Sequence, residues 1–277
     1  MIPPIASNFV AGETVETALS QVEQINERGV GGILNLLGEH YTDYEDARED
    51  TEAYIDLVEE IASRDLDACI SVKPSQLGLD ISDETFQRNF EEIVDAAECF
   101  VWLDMEDHTT TDVTLDAFER HTRATDGNVG VCVQSNLLRT GEDLSRLASL
   151  PGKVRLVKGA YNESSNIAYT NKEKVNVVFK DQLEYMFREF EDGIAVGSHD
   201  PEMVEHAQRL YDQYGTPYEI QMLMGVREKA QFRLVRETDA EVYQYIPYGT
   251  RWLSYFYRRL RERKSNLSFA ARAVLTG

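Results

Sequence analysis

Eight short apolar segments recur along the chain, each ending in glycine or polar residues. Segments of this kind are typical of parallel strands that are buried on both faces of a sheet. Between them, apolar residues recur at helical spacing, for example Tyr54, Leu57, Val58 and Ile61, which predicts one amphipathic helix after each strand. The predicted strands are GGILNLLG (31–38), DACISVKP (67–74), CFVWLDME (99–106), VGVCVQS (129–135), KVRLVKGAY (153–161), GIAVGSHD (193–200), YEIQMLMG (218–225) and EVYQYIPYG (241–249).

The alternation of strands and helices predicts a single α/β domain over residues 1–277. Eight such units favour a (β/α)8 barrel of the TIM type, and a doubly wound parallel sheet is the alternative. An extra helix in residues 13–29 precedes the first strand, and we expect it to cover the bottom or the side of the barrel. Ser82, Thr140 and Asp200 followed by Pro201 are the expected helix N-caps.

The chain carries a large acidic excess, with 49 Asp and Glu residues against 28 Lys and Arg and a formal net charge of −21. A nucleic-acid partner is excluded, because no basic stripe is present that could neutralise phosphates. Only 8 of the basic residues are lysines, the more strongly hydrated cation. We therefore interpret the surface as halophile-type, with an ordinary acidic cytosolic protein as the alternative.

The cysteines and the N-terminus indicate a reducing compartment. Cys69, Cys99 and Cys132 are an odd number and lie singly in or beside apolar segments, which predicts reduced core residues rather than disulfides. The sequence has no signal peptide pattern and no run of about 18 apolar residues that would span a membrane. The expected location is the cytoplasm.

Polar residues collect at the carboxyl ends of the predicted strands, where the active site of a (β/α)8 barrel lies. Lys73 and Lys158 stand within apolar strand sequence, where an unpaired ammonium is costly, so each implies a partner or an anionic ligand. A lysine that reaches from the rim of the barrel into solvent is the alternative for each. The other polar residues at these ends are Asp104, Glu106, Asp107, His108, Gln134, Arg155, Tyr161, His199, Asp200, Tyr245 and Tyr248.

The same residue types fit two other chemistries. The segment from Asp104 to His108, with His199 and Asp200, has the residue types of a metal site, but strand alternation and the lack of a His pair favour caps and solvated loop carboxylates. Lys158 could instead serve as the nucleophile of a Schiff-base aldolase. The nearby cations Arg155 and Lys73 suit an anionic cofactor or a carboxylate better than a simple carbonyl.

The C-terminal segment combines six aromatic residues between positions 245 and 257 with Arg258 and Arg259. An arginine pair can bind a carboxylate while aromatic side chains enclose an apolar ring. A helix whose basic last turn complements its macrodipole explains the composition equally well. Elsewhere, no GxGxxG segment follows a strand, so a Rossmann nucleotide site is unsupported.

Taken together, the motifs resemble the proline dehydrogenase family, whose members are FAD-dependent enzymes on a (β/α)8 barrel. The resemblance covers nearly the whole chain, and VRLVKGAY and the closing YxxRRLxE are its most specific parts. The other matching segments, in the family's order, are SVKPSQLG, FVWLDME, VGVCVQS, VGSHD, YEIQMLMG and YIPYG.

The resemblance implies roles for individual residues. Asp104 and Tyr161 are implied in catalysis, with Asp104 a candidate acceptor for the amine proton or an orienting charge beside the amine. The implied substrate-binding residues are Lys73, Arg258 and Arg259 for the carboxylate, and Ala160, Leu223, Tyr245 and Tyr255 around the pyrrolidine ring. The implied cofactor-binding residues are Gln134, Arg155, Val157, Lys158, Gly159, Ser198, His199 and Glu262.

The resemblance also implies a reaction and its partners. L-Proline would lose a hydride from C5 to flavin N5 and become Δ1-pyrroline-5-carboxylate, which a separate pyrroline-5-carboxylate dehydrogenase would consume. A quinone would receive the electrons, which implies transient peripheral contact with the inner face of the membrane. A lysine Schiff-base lyase and a non-catalytic carboxylate-binding protein are the two alternatives.

The acidic surface predicts that folding depends on salt, because like charges repel one another without screening at low ionic strength. We expect the melting temperature to rise as the buffer is changed from low salt to molar KCl, as measured by circular dichroism. A melting temperature that does not change with salt would favour the ordinary acidic protein.

Overall fold

The structure is a computed structural model that describes residues 2, 6–253 and 255–257. Eight parallel strands pair in chain order and close into a barrel when β1 pairs with β8. All eight predicted strands are confirmed, and the doubly wound sheet is excluded. The strands are β1 (Gly31–Leu36), β2 (Ala68–Val72), β3 (Val101–Leu103), β4 (Val129–Gln134), β5 (Lys153–Val157), β6 (Ile194–Gly197), β7 (Tyr218–Leu223) and β8 (Glu241–Tyr248).

Seven helices connect consecutive strands, and one precedes the barrel, as predicted from the periodicity. The connecting helices are α2 (Tyr44–Ser63), α3 (Asp83–Ala96), α4 (Thr111–Ala124), α5 (Thr140–Leu147), α6 (Lys172–Glu189), α7 (Pro201–Tyr214) and α8 (Glu228–Glu237), and the preceding helix is α1 (Val15–Asn26). Among the described residues, no helix is both long enough and apolar enough to cross a membrane.

Helix α1 lies at the side of the barrel, one of the two positions expected for it. It packs on β1 and β8, and Gln21 Nε2 donates a hydrogen bond to Gln244 Oε1 at 3.1 Å. Residues 252–253 and 255–257, which are helical and follow β8, pack elsewhere: Tyr255 forms a separate cluster with Phe9 and Leu37. The helix before the barrel therefore covers the outer face of β8.

Two layers of apolar residues hold the barrel together. The larger cluster lies between the strands and the surrounding helices, and a small cluster that includes Ile33, Cys69, Trp102 and Ala195 lies inside the barrel. All three cysteines are free, with Cys69 and Cys132 buried and Cys99 half-buried. The rest of the interior is largely polar, as described below.

Two of the three expected N-caps are confirmed. Ser82 Oγ accepts a hydrogen bond from the Thr85 amide, and Asp200 caps α7 with Pro201 at the first position. The expectation for Thr140 is wrong, because Thr140 is already the first residue of α5 and Arg139 is its N-cap. The Thr140 hydroxyl instead donates to the carbonyl of Gln134 at 2.5 Å.

Substitutions at Gly225 and Gly215 test how residues 8–9 of the N-terminal segment pack against the barrel. Both have positive φ, +74° and +76°, so alanine at either position costs about 1 kcal/mol of strain. A Cβ on Gly225 would lie 1.9 Å from the carbonyl oxygen of Asn8, whereas a Cβ on Gly215 would have no atom within 4 Å. We expect Gly225→Ala to lower the melting temperature more than Gly215→Ala. Equal decreases would contradict the packing of residues 8–9 against Gly225.

Candidate active site

A largely enclosed carboxylate, Asp104, lies at the carboxyl end of β3 and is contacted by residues of three other strands or the loops that follow them. The hydroxyls of Ser71 and Tyr245 donate to it at 2.7 and 2.8 Å. Arg155 Nη2 donates to Asp104 Oδ1, and Lys73 Nζ lies 3.7 Å from Asp104 Oδ2. Strands β2, β5 and β8 each supply residues that meet this carboxylate across the barrel interior.

The two cations keep Asp104 ionised. Burial acts to raise the pKa of Asp104, but the charges of Arg155 and Lys73 and the two hydroxyl hydrogen bonds lower it overall. Burial, together with the charge of Asp104, raises the pKa of Tyr245 well above its ordinary value. At neutral pH the site therefore holds an aspartate anion beside a protonated tyrosine hydroxyl.

Arg155 is held by contacts on several sides. Its Nη1 donates to Gln221 Oε1 at 2.9 Å, and its guanidinium carbon lies 4.9 Å from the centre of the Trp102 ring. Burial acts to lower the pKa of Arg155, but the charge of Asp104 has the opposite effect and the pKa is raised overall. The guanidinium therefore remains charged. A cation held in this way in a barrel interior can orient a carboxylate or an electron-rich ring edge.

Lys73 follows β2 and points into the same interior. Its Nζ donates to Asn35 Oδ1 at 3.2 Å and faces Asp104, so the protein itself supplies partners for this cation. The alternative of a lysine that reaches into solvent is wrong for Lys73, whose side chain is only 13% exposed.

The mouth of the barrel has a second side, formed by β4, β5 and β6, with a different surface. Gln134, Val157 and Gly197 are adjacent in the strand register, and the last two are partly exposed. A Cβ on Gly197 would lie 2.6 Å from Val157 Cγ1. The side chain of Val157 thus occupies the space beside Gly197, and these two residues present a partly exposed apolar wall at the mouth.

Gln134 is fixed at the edge of this wall. Its Nε2 donates to the carbonyl of Glu106 at 2.7 Å, and its Oε1 accepts from the amide of Ala160 at 3.2 Å. The second contact ties the loop after β5 to the barrel mouth. Gly159 belongs to the same loop, and a Cβ there would lie 2.0 Å from Asn136 Oδ1.

Tyr161 is half-buried in this loop, which is also tethered to the loop after β3. Glu163 Oε1 accepts from the backbone amide of His108 at 2.9 Å, and Glu163 Oε2 lies 2.7 Å from His108 Nδ1. The two loops are therefore joined above the mouth by one carboxylate.

Lys158 is directed away from the Asp104 cluster. Its Nζ donates to Asp200 Oδ2 at 2.7 Å and to Asn176 Oδ1 at 2.6 Å. Burial acts to raise the pKa of Asp200, but the hydrogen bond and charge of Lys158 lower it overall. The predicted partner of this lysine thus exists within the protein, on α6 and at the start of α7.

The residues after β6 contact the end of β7. His199 Nε2 accepts a hydrogen bond from the Leu223 amide at 2.7 Å, which requires the tautomer that carries its proton on Nδ1. Ser198 is buried, and its hydroxyl accepts from the amide of Asp200 at 3.2 Å. These contacts hold His199 and Leu223 beside each other at the rim.

The acidic segment after β3 separates into different environments. Asp107 caps a short 3₁₀ turn, as expected for a loop carboxylate. The same expectation is wrong for Asp104, described above, and for Glu106, which is buried and accepts from Ser75 N and Oγ at 2.7 Å each. Within the described parts of the chain, no three His, Cys, Asp or Glu side chains are grouped to hold a metal ion.

Three expected site residues, Arg258, Arg259 and Glu262, lie outside the residues that the structure describes. Tyr255 is 7% exposed and packs with Phe9, Val10 and Leu37.

Sequence reasoning missed four residues that form the site. Asn35, Ser71, Trp102 and Gln221 face the interior around Lys73, Asp104 and Arg155. Three of them are polar residues within otherwise apolar strands, and that was the signal available. These residues precede the strand ends, where the active site of a (β/α)8 barrel is expected.

Curated relatives share about a third of their residues with this chain. Proline dehydrogenase 2 of Bacillus subtilis (strain 168) is 34% identical over 277 residues, which cover 97% of this chain and 90% of the relative. Proline dehydrogenase of Deinococcus radiodurans is 32% identical over 283 residues, covering 99% of this chain and 91% of the relative.

Solved structures share the fold. Proline utilization A (PutA) from Bdellovibrio bacteriovorus, inactivated by N-propargylglycine, superposes with a TM-score of 0.83 at 22% identity over 92% of this chain. PutA from Corynebacterium freiburgense gives a TM-score of 0.80 at 24% identity over 95% of this chain. The present chain spans only 32% and 31% of the lengths of those two proteins.

A family model ties the fold and the sequence together. The model described as proline dehydrogenase matches residues 18–272, which include all eight strands and the Asp104 cluster. The curated relatives agree with it over nearly the whole chain. The chain therefore belongs to the proline dehydrogenase family, the oxidoreductases of proline metabolism.

Proposed function

We propose that this chain oxidises L-proline to Δ1-pyrroline-5-carboxylate with FAD, by transfer of a hydride from C5 of proline to N5 of the flavin. The observation that carries the proposal is the two-sided mouth of the barrel. One side presents the ionised Asp104 with Lys73 and Tyr245, and the other presents the apolar wall of Val157 and Gly197. A polar ring and a planar cofactor can face each other there.

The residues around this apolar wall fit a flavin. Val157 and Gly197 offer a partly exposed apolar surface for an isoalloxazine ring. Arg155, two residues before Val157, and Gln134, opposite Val157 in the strand register, add polar side chains beside it. We propose that FAD is held by Gln134, Arg155, Val157, Lys158, Gly159, Ser198, His199 and Glu262. When bound, FAD supplies the acceptor for the hydride.

Proline would be bound through its charged carboxylate. We propose that Lys73, Arg258 and Arg259 contact this group, since cations are its natural partners. Ala160, Leu223, Tyr245 and Tyr255 would enclose the pyrrolidine ring and exclude water from it. Binding of this kind holds C5 in one orientation, which lowers the entropic part of the barrier.

The amine of proline must lose a proton before or during hydride transfer. The lowered pKa of Asp104 makes this carboxylate a weak base at neutral pH but a strong charge partner for the ammonium group. We therefore assign Asp104 the orientation of the amine. The proton would pass to solvent, either through water or through Tyr161, which lies in the loop after β5.

The two alternatives make different predictions. A Schiff-base lyase requires a free amine on Lys158, whose Nζ contacts Asp200 and Asn176. Those contacts weaken that alternative. A carboxylate-binding protein would bind proline without bleaching a bound flavin.

The proposal extends to partners and location. A quinone would accept the electrons during peripheral contact with the inner face of the membrane, and the protein would otherwise reside in the cytoplasm. Δ1-Pyrroline-5-carboxylate is released to a separate dehydrogenase. The halophile-type character of the acidic surface belongs to the same proposal, and the salt series described above tests it.

The decisive experiment is an anaerobic absorbance spectrum in high salt, recorded before and after addition of L-proline. We expect a flavin spectrum that bleaches. A flavin that stays oxidised would overturn the substrate, and the absence of flavin after reconstitution with FAD would overturn the cofactor. Trapping of a carbonyl substrate on Lys158 by borohydride would establish the lyase.

Arg259→Met should raise the KM for proline at least about 10-fold and leave FAD bound, because one charge-assisted contact to the carboxylate is lost. Arg251→Met is the matched control, since Arg251 forms an exposed ion pair with Asp46 at 3.3 Å. Steady-state kinetics with flavin quantification measures both. A KM for Arg259→Met equal to that of the control would remove Arg259 from the site.

Asp104→Asn should destabilise the protein at neutral pH by about 3 kcal/mol, because Arg155 is left buried without its anion. The pKa of Asp104 is lowered in the folded state, so its stabilisation is present above the ordinary carboxyl pKa and is lost only as pH falls through the lowered value. Denaturant unfolding should therefore show a difference between the two proteins that is constant at neutral pH and shrinks below about pH 4. A difference that disappears already near pH 6 would contradict an ionised Asp104 held by two cations.

A further inference from the structure

A line of hydrogen-bonded side chains runs through the barrel from its amino-terminal end to Asp104. Lys153 Nζ donates to Glu219 Oε2 at 2.5 Å, and Gln221 Nε2 donates to Glu219 Oε1 at 2.5 Å. Gln221 Oε1 then accepts from Arg155 Nη1 at 2.9 Å, and Arg155 Nη2 donates to Asp104. The line joins a solvent-facing end to the proposed reaction site.

The first members of this line lie at the end of the barrel opposite the mouth. A cleft of about 930 Å³ opens there and is lined by residues that include Lys153, Glu219 and Glu241. The side chain of Lys153 is 32% exposed, whereas that of Glu219 is only 4% exposed. Burial acts to lower the pKa of Lys153, but the charge of Glu219 raises it overall, so this lysine remains a cation.

The donors and acceptors of these groups allow only one arrangement of the hydrogen bonds along the line. An ionised carboxylate can only accept hydrogen bonds, and a guanidinium can only donate them. Gln221 lies between Glu219 and Arg155, so its NH₂ must face Glu219 and its oxygen must face Arg155. The carboxylate of Glu219 therefore sets the orientation of the Gln221 amide, and the amide oxygen holds Arg155.

We propose that Glu219, paired with Lys153, is a positioning residue for proline oxidation, acting through Gln221 to orient Arg155 and thereby Asp104. This inference rests on the proposed function. It assigns a role to residues at the far end of the barrel that touch neither substrate nor cofactor. Without Glu219, the Gln221 amide can rotate and turn its NH₂ toward Arg155, which places two donors against each other.

Glu219→Gln is the direct test, because it keeps the shape of the side chain and removes the acceptor-only character. We expect the rate of flavin reduction at saturating proline, measured by anaerobic stopped flow, to fall about 10- to 100-fold. The apparent Kd for proline should change less than about 3-fold, since Lys73 and the arginine pair are untouched. Glu241→Gln is the matched control, because it removes a carboxylate from the same cleft. The rate of flavin reduction in this control should stay within about 2-fold of wild type.

The double variant E219Q/Q221E distinguishes positioning from simple packing. It exchanges the two side chains, so a carboxylate at position 221 accepts from Arg155 whichever way it rotates. The amide at position 219 can donate to that carboxylate and accept from Lys153. We expect the exchange to recover most of the reduction rate that Glu219→Gln loses. A crystal structure of Glu219→Gln without flavin should show that the bond between Arg155 and Gln221 is lost.

These measurements distinguish a failure of the proposed function from a failure of the positioning role of Glu219. If proline does not bleach the wild-type flavin, the proposed function fails. If the wild type bleaches and Glu219→Gln reduces flavin as fast as Glu241→Gln, or if the exchange variant recovers nothing, the positioning role is overturned.

Should Glu219→Gln fail to fold, Gln221→Met removes the contact to Arg155 and keeps the ion pair of Lys153 and Glu219. Gln221→Met must then show the same slow reduction, and a normal rate would overturn the proposal.

Discussion

The ion pair of Asp104 and Arg155 is the interaction on which the interior of this barrel depends. The Arg155 side chain is only 5% exposed and that of Asp104 14%, and an unpaired charge is costly in such surroundings. Each is therefore satisfied by further polar side chains, Ser71 and Tyr245 on the anion and Gln221 on the cation. These partners make the interior around the pair of Asp104 and Arg155 polar.

This polar interior changes how the barrel is stabilised. Most apolar contacts lie between the strands and the outer helices, and only a small apolar cluster around Trp102 remains inside. The outer layer therefore supplies most of the hydrophobic stabilisation, while the interior supplies charge and directed hydrogen bonds. Helix α1 completes that outer layer at β8, because the helical residues after β8 pack on the N-terminal segment instead.

The mouth of the barrel combines the charges around Asp104 on one side with the apolar wall of Val157 and Gly197 on the other. A substrate with both an ammonium and a carboxylate needs fixed charges, whereas a planar cofactor needs a flat surface and a few polar edges. In the proposed function, the charged side would meet the substrate and the apolar wall would meet the cofactor. On the first of these sides, the charges of Arg155 and Lys73 keep Asp104 ionised.

The sequence by itself determined the order and type of nearly every element, because a strand buried on both faces and an amphipathic helix leave local patterns that do not depend on distant residues. It also determined which residues stand at strand ends, and the resemblance of whole motifs named the family. Only the tertiary structure decided which of these residues meet. Lys158 and Arg155 are three positions apart in β5 and the residues after it, yet one pairs with Asp200 and the other with Asp104. Closure of the barrel brings β7 against β5 through β6 and so places Gln221 and Glu219 beside Arg155 and Lys153, a meeting that depends on strand register and that no local pattern encodes.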